Sequence, residues 1–338
     1  MQRTFAFTVC LGLAVLFIGS AAVAQYQLTN LVSNQVGDAR HLDPLLVNGW
    51  GLVYGPGGPF WLSDQGSGWS TLYNGKGDKK SLDVVIPSAT GAGPGQPTGI
   101  VFNGSQDFSV EGWPAIFLFA TLDGTISGWA PQSNPNEAII AVNNSGAIYT
   151  GLAITSKPSG NFLYAADIAN NKVDVYDTNF NLVTSFTDST LPAGNAPFGI
   201  QDINGLLYVS FAPTNESPTG YVDIYQEDGT FVRQLIAGNH LAQPWGFAVA
   251  PKNFGPLSNT LLVANNTNSA TINGYNLETG QFVGAVKDIN GKPIRIDQLW
   301  GIDFGGGTAN NGNTNQLFFT AGPAGNLAGT FGVIQFKK

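Results

Sequence analysis

From residue 25 onward the hydrophobic positions fall into short runs rich in Val, Ile, Leu, Phe, Tyr and Trp. Clusters of Asn, Gly, Asp and Pro separate them. Runs of this kind bounded by turn formers read as β-strands, and no stretch carries the 3.6-residue periodicity of an amphipathic helix. Between residues 151 and 188 the pattern predicts four successive strands: Gly151–Thr155, Phe162–Asp167, Lys172–Asp177 and Leu182–Asp188.

That unit repeats. A turn residue, one further residue, then Gly and a short apolar run occur six times. Examples are Asn48-Gly49-Trp50-Gly51-Leu52-Val53, Gln96-Pro97-Thr98-Gly99-Ile100-Val101 and Gln243-Pro244-Trp245-Gly246-Phe247-Ala248. The glycines stand at 51, 99, 151, 199, 246 and 301, in steps of 48, 52, 48, 47 and 55 residues. A second strand follows each at a similar offset: Phe60–Asp64, Phe117–Thr121, Leu163–Asp167, Leu207–Phe211, Leu261–Asn265 and Leu317–Ala321. Four strands in about 50 residues describe a propeller blade.

Ring closure checks the count. The sixth unit holds only three strands, the last being Phe331–Phe336, while Gln27–Ser33 precedes the first unit without a partner. Pairing these two segments completes the last blade and leaves no loose edge. The expected fold is therefore all-β, a single six-bladed β-propeller of four-stranded blades over residues 25–338, closed by the N-terminal strand.

The run from Leu163 to Asp177 (LYAADIANNKVDVYD) resembles an NHL repeat. The whole of residues 25–338 is similar to a family of uncharacterised secreted bacterial six-bladed propellers related to NHL-repeat proteins. The supporting segments are Phe60–Gly75, Ala120–Trp129, Pro197–Ile200 and Thr320–Pro323. The resemblance implies the fold and export but brings no activity with it.

Residues 1–24 stand apart. Arg3, an apolar run from Phe5 to Ile18, and Ala22-Val23-Ala24 read as a secretory signal peptide cleaved before Gln25. A secreted or periplasmic protein is expected. The only Cys and the only Met, Cys10 and Met1, lie inside that segment. Disulfides, thiol nucleophiles and sulfur-ligated metals are thereby excluded from the rest.

The chain carries 22 acidic and 14 basic residues, a net charge of -8. Nucleic acid and anionic membrane both require clustered Lys and Arg, so neither is an expected partner. No apolar stretch reaches the roughly 18 residues of a membrane span. A monomer that binds a small polar molecule, a glycan or a protein fits these totals.

Propeller geometry places the turn entering each inner strand and the turn after each second strand on one face. The first set contributes Trp50, Thr98, Phe198, Trp245 and Trp300; the second contributes Asp64, Asp123, Asp167, Asn265 and Asn266. Aromatic rings beside carboxylates and amides suit a polar organic ligand or a sugar. An Asp or Asn opening a turn also binds backbone N–H groups with no ligand involved, and the Trp-Gly pairs also suit wedges between blades. Both roles stay open from sequence.

Only His41 and His240 exist, so a three-histidine zinc site is excluded. Both precede an inner strand by a similar distance, which makes them rim candidates and possible general bases of a lyase. By analogy with gluconolactonase-type six-bladed propellers, Asp64, Asp167 and Asn265 are the candidate Ca²⁺ ligands of a hydrolase or lactonase. The inner-strand glutamate of those enzymes has no counterpart here, because the positions following each repeat Gly are apolar.

Overall fold

The computed structural model describes residues 25–156, 160–238 and 240–337; the signal-like segment 1–24 lies outside them. The chain opens with β1 (Gln25–Ser33) and the two-residue β2 (His41–Leu42). Blade 1 follows as β3 (Gly49–Tyr54), β4 (Phe60–Asp64), β5 (Trp69–Tyr73) and β6 (Lys79–Val85). In blade 2, the strands β7 (Pro97–Phe102), β10 (Phe117–Thr121), β11 (Thr125–Trp129) and β12 (Ile139–Asn143) enclose a small hairpin of β8 (Ser109–Val110) and β9 (Trp113–Pro114).

Blade 3 comprises β13 (Tyr149–Thr155), β14 (Phe162–Asp167), β15 (Lys172–Tyr176) and β16 (Leu182–Phe186). Blade 4 comprises β17 (Asn195–Ile203), β18 (Leu206–Pro213), β19 (Tyr221–Tyr225) and β20 (Phe231–Ala237). Blade 5 comprises β21 (Pro244–Val249), β22 (Leu261–Asn265), β23 (Ile272–Tyr275) and β24 (Phe282–Ala285). Blade 6 has β25 (Leu299–Phe304), β26 (Gln316–Ala321) and, after the short helical turn α1 (Pro323–Asn326), β27 (Thr330–Lys337).

The expected closure is present. β1 pairs antiparallel with β27 from Gln25↔Lys337 to Ser33↔Thr330, giving the order β2-β1-β27-β26-β25. Both ends of the described chain are thus tied into one sheet. β2 adds a short parallel edge beyond β1.

The core is divided as the ring demands. Each face of a blade is apolar and meets its neighbour, so six apolar clusters form, one per blade interface. The cluster between blades 6 and 1 includes Leu31, Phe60, Tyr73, Phe318 and Phe331, which buries residues from opposite ends of the chain against one another. Each fully buried aromatic side chain contributes on the order of 2–3 kcal/mol. A seventh cluster lies on the axis and contains Trp50, Phe198, Ala212 and Trp300.

Candidate functional site

The repeat glycines explain how the inner strands reach the axis. A Cβ on Gly51 would overlap the backbone of Thr98, one on Gly99 that of Leu152, and one on Gly151 would meet that of Phe198. Gly199 lies against Trp245, Gly246 against Trp300, and Gly301 against Trp50. At every one of the six positions the nearest backbone atom of the next inner strand would lie within 3.1 Å of that Cβ. None of the six has a positive φ. Close approach of neighbouring strands, and not a special dihedral, therefore demands Gly. The circle closes when Gly301 of blade 6 meets blade 1.

The residues just before these glycines meet at the axis. The Trp50 and Trp300 rings stack with centroids 3.5 Å apart at 19°. Trp245 stands edge-on to both, at 6.3 and 6.1 Å, and Phe198 packs against both at 6.4 and 5.8 Å. The Trp245 indole N–H reaches from blade 5 to the Thr150 carbonyl of blade 3, at 2.9 Å. The Trp300 N–H donates to Asn48 Oδ1 at 2.9 Å. Together they form a plug that divides the channel.

Above the plug, on the face of the turns entering the inner strands, lies a cleft of about 860 Å³ between blades 4, 5 and 6. Phe198 and Trp300 contribute its aromatic lining, and Gln243, Asn265, Asn266, Asn268 and Gln298 its amides. Its ionisable residues are Glu216, His240 and Arg295. Of the residues singled out from sequence, the cleft brings together Phe198, Trp300, Asn265, Asn266 and His240. Trp50 lies behind this aromatic lining in the plug, and Trp245 borders a smaller cavity on the other side.

The second-strand Asp and Asn residues make specific structural bonds. The Asp123 carboxylate accepts the N–H groups of Ala89 at 3.0 Å and Gln96 at 3.3 Å. Asp167 accepts Ile148 N–H at 3.1 Å, together with the N–H groups of Ala169 and Asn170 in its own turn. Asn265 Oδ1 accepts Ala242 N–H at 2.8 Å while its amide donates to the carbonyls of His240 and Thr271. In blades 2, 3 and 5 one residue thus staples the turn after the second strand to the chain entering the same blade. Asn266 donates to the Leu299 carbonyl at 3.0 Å and joins blade 5 to blade 6.

Asp64 is different. Its carboxyl is fully buried inside blade 1, and burial drives its pKa well above the ordinary range. Asp43 adds to that rise, and Lys79 opposes it. Lys79 itself bridges Asp43 at 2.8 Å and Asp83 at 3.0 Å. The three candidate calcium ligands Asp64, Asp167 and Asn265 thus sit in separate networks in blades 1, 3 and 5 with no common partner. Among the described residues no group of three or more His, Asp, Glu or Cys is arranged to hold a metal ion.

The two histidines part company. His41 lies in β2 at the outer edge of blade 6, its ring 3.6 Å from the Asp78 carboxylate, away from the channel mouth. His240 lines the cleft, stacked on Phe282 at 4.1 Å, and its carbonyl accepts the amides of Asn265 and Asn273.

Sequence reasoning overlooked a set of amides on the same rim. Asn48, Gln96, Gln243 and Gln298 each stand three residues before a repeat Gly. Asn48, Gln243 and Gln298 all adopt positive φ, at 48°, 52° and 49°. A left-handed Gln is uncommon and costs about 1 kcal/mol or more, yet the three equivalent positions share it. Asn48 donates to Gln65 at 2.6 Å, and Gln65 to Gln96 at 2.8 Å, which carries an amide chain from the plug across blades 1 and 2. Gln298 donates to Asn268 Oδ1 at 2.7 Å within the cleft. The recurrent Asn or Gln before x-x-Gly was the signal.

Comparison with curated proteins finds relatives in Acanthamoeba polyphaga mimivirus. Uncharacterized protein R648 is 29% identical over 336 residues, covering 93% of this chain and 81% of the relative. Uncharacterized protein L690 is 30% identical over 304 residues, covering 83% of this chain and 79% of the relative. The chain belongs to the family of L690. These relatives are viral, whereas the sequence resemblance implied a bacterial family. No established family model matches.

Among solved structures, a streptogramin B lyase aligns with a TM-score of 0.56 and 11% identity over 93% of this chain and 98% of that one. A glucose dehydrogenase aligns with a TM-score of 0.57 and 9% identity over 91% and 98%. At such low identity the likeness shows the propeller fold alone. Among the described residues no helix is long and apolar enough to cross a membrane.

Proposed function

We propose that this propeller is a binding protein whose cleft takes an uncharged, hydroxyl-rich ligand, a glycan above all. The observation that carries this reading is an 860 Å³ recess that combines Phe198 and Trp300 with amides from two blades. Apolar ring surface packs against the C–H face of a sugar, and amides both donate to and accept from its hydroxyls. The cleft holds one acid, one guanidinium and one imidazole, which leaves hydrogen bonding as the main source of specificity.

A scaffold role suits the remaining groups. His240 is engaged through ring stacking and its carbonyl, and Arg295 donates to the Ser269 carbonyl at 2.8 Å. Among the described residues neither is joined to a nucleophile or a carboxylate in the way acyl transfer requires. The lyase and dehydrogenase among the structural neighbours share the fold. Export of the chain, as residues 1–24 suggest, would expose such a cleft to extracellular or envelope polysaccharide.

The test is a glycan array probed with the protein from Gln25 onward, followed by titration of the best ligand. Saturable binding that Phe198→Ala and Asn268→Ala each weaken supports the proposal. Binding unaffected by both changes would place the ligand elsewhere.

A further inference from the structure

Below the plug the inner strands line a second cavity of about 240 Å³, on the other side of the plug from the upper cleft. Its walls mix apolar side chains, Leu52, Ile100, Ile154, Ile200 and Ile302 among them, with the polar Gln201 and inner-strand backbone, and Trp245 borders it on the plug side. Asp303 also lines it, and no Lys, Arg or His does. The cavity is smaller than the roughly 300–1,000 Å³ of drug-sized sites, so it suits a small molecule.

Asp303 breaks the pattern of the repeat. Two residues beyond each repeat Gly the chain carries Val53, Val101, Ala153, Gln201, Ala248 and Asp303. Five blades build this level without a carboxylate, so the fold does not need one there. The Asp303 carboxyl accepts the N–H of Phe304 at 2.8 Å, while burial pushes its pKa up to about 7, only partly offset by that bond. The residue is partly buried and lines the cavity. Asp202 also lines the cavity, where it accepts Gly205 N–H at 2.8 Å and so serves its own turn.

We propose that this axial cavity binds a small organic ammonium ion, with the cationic head against Asp303 and the alkyl groups against the inner strands. A buried carboxylate that faces no cationic side chain in the cavity lining is costly, and a cation of matching size relieves that cost. Hard metal ions are poorly served, because Ca²⁺ requires six to eight oxygen ligands. An alkylammonium ion loses far less hydration, and aromatic rings such as those of Trp245, Phe102 and Phe247 attract cations.

Choline and its neutral carbon isostere are suitable probes for titration calorimetry on the protein from Gln25 onward. Choline is expected to bind at least about tenfold more tightly than the isostere, and Asp303→Asn should abolish that preference. The variant should leave glycan binding in the upper cleft unchanged, which separates failure of this site from failure of the other. If Asp303→Asn does not fold, the comparison of the two probes on the unmodified protein decides alone. Equal binding of the two probes, no binding of either, or displacement of choline by stoichiometric Ca²⁺ would overturn the proposal.

Discussion

The Trp245 indole donates its N–H to the carbonyl oxygen of Thr150, 2.9 Å away, and so joins blade 5 to blade 3 across the axis. Blades that share no sheet and no interface are held by one side chain. With the Trp50–Trp300 stack beside it, this bond gives the propeller a solid centre and separates two compartments of different chemistry.

Trp245→Phe should remove that bond while keeping most of the ring. The expected cost is about 1 kcal/mol, with the Thr150 carbonyl left to water or unpaired. Trp245→Ala should cost about 2–4 kcal/mol, because part of the plug is left unfilled. Denaturant titration of both variants checks the order.

Gly199→Ala should be disruptive despite adding a single methyl group. Its Cβ would overlap the Trp245 carbonyl, and two inner strands would have to part. A loss of about 1–3 kcal/mol is expected. Gly284→Ala is the control, since the nearest atom to its Cβ would be a Leu257 methyl at 3.7 Å and its φ is ordinary. Thermal melts should show a clear drop for the first and little change for the second.

Stability should fall as pH rises from weakly acidic to mildly alkaline values. Burial, with added repulsion from Asp188, pushes Asp223 up to about 8, and burial pushes Asp303 up to about 7. Both groups hold a proton more tightly in the folded chain than in the unfolded one. Their contribution is therefore complete below the unfolded value of 3.8 and is lost as pH passes through 7 to 8. Asp188 has the opposite sign: burial alone would raise it, but bonds from Thr190 and Tyr225 outweigh burial and hold it low. Its contribution is lost only in strong acid. Asp223→Asn should flatten the alkaline limb in melts taken across this range.

Asp167→Ala should cost about 2–3 kcal/mol, because three backbone N–H groups lose a fully buried acceptor. Glycan affinity per folded molecule should not change. A loss of affinity without a loss of stability would return Asp167 to the list of ligand contacts.

The blade count, the strand order and the closure by Gln27–Ser33, observed as Gln25–Ser33, were legible in sequence because spacing and turn chemistry encode them directly. The six glycines recur since each inner strand must approach the next. The site was legible only in part. Phe198, Trp300, Asn265, Asn266 and His240 meet at one cleft, as their positions within the repeat imply. Asp123 and Asp167 turn their oxygens toward backbone, and a turn-opening Asp has the same sequence signature in either role. His41 lies outside because β2 takes the edge of blade 6 before blade 1 begins, which offset along the chain does not reveal. The hydroxyl ties of blades 1, 3 and 4, where Tyr73 meets Asp43, Tyr176 meets Tyr149, and Tyr225 meets Asp188, also went unread. Their partners stand at different distances from the repeat Gly.

The most direct measurement is calorimetric titration of an array-selected oligosaccharide into the unmodified protein, Phe198→Ala and Asp303→Asn. The expected result is one site per chain, affinity reduced at least about tenfold by Phe198→Ala, and affinity unchanged by Asp303→Asn. Unchanged affinity in a folded Phe198→Ala protein, or no saturable binding of any glycan, would contradict the assignment of the cleft.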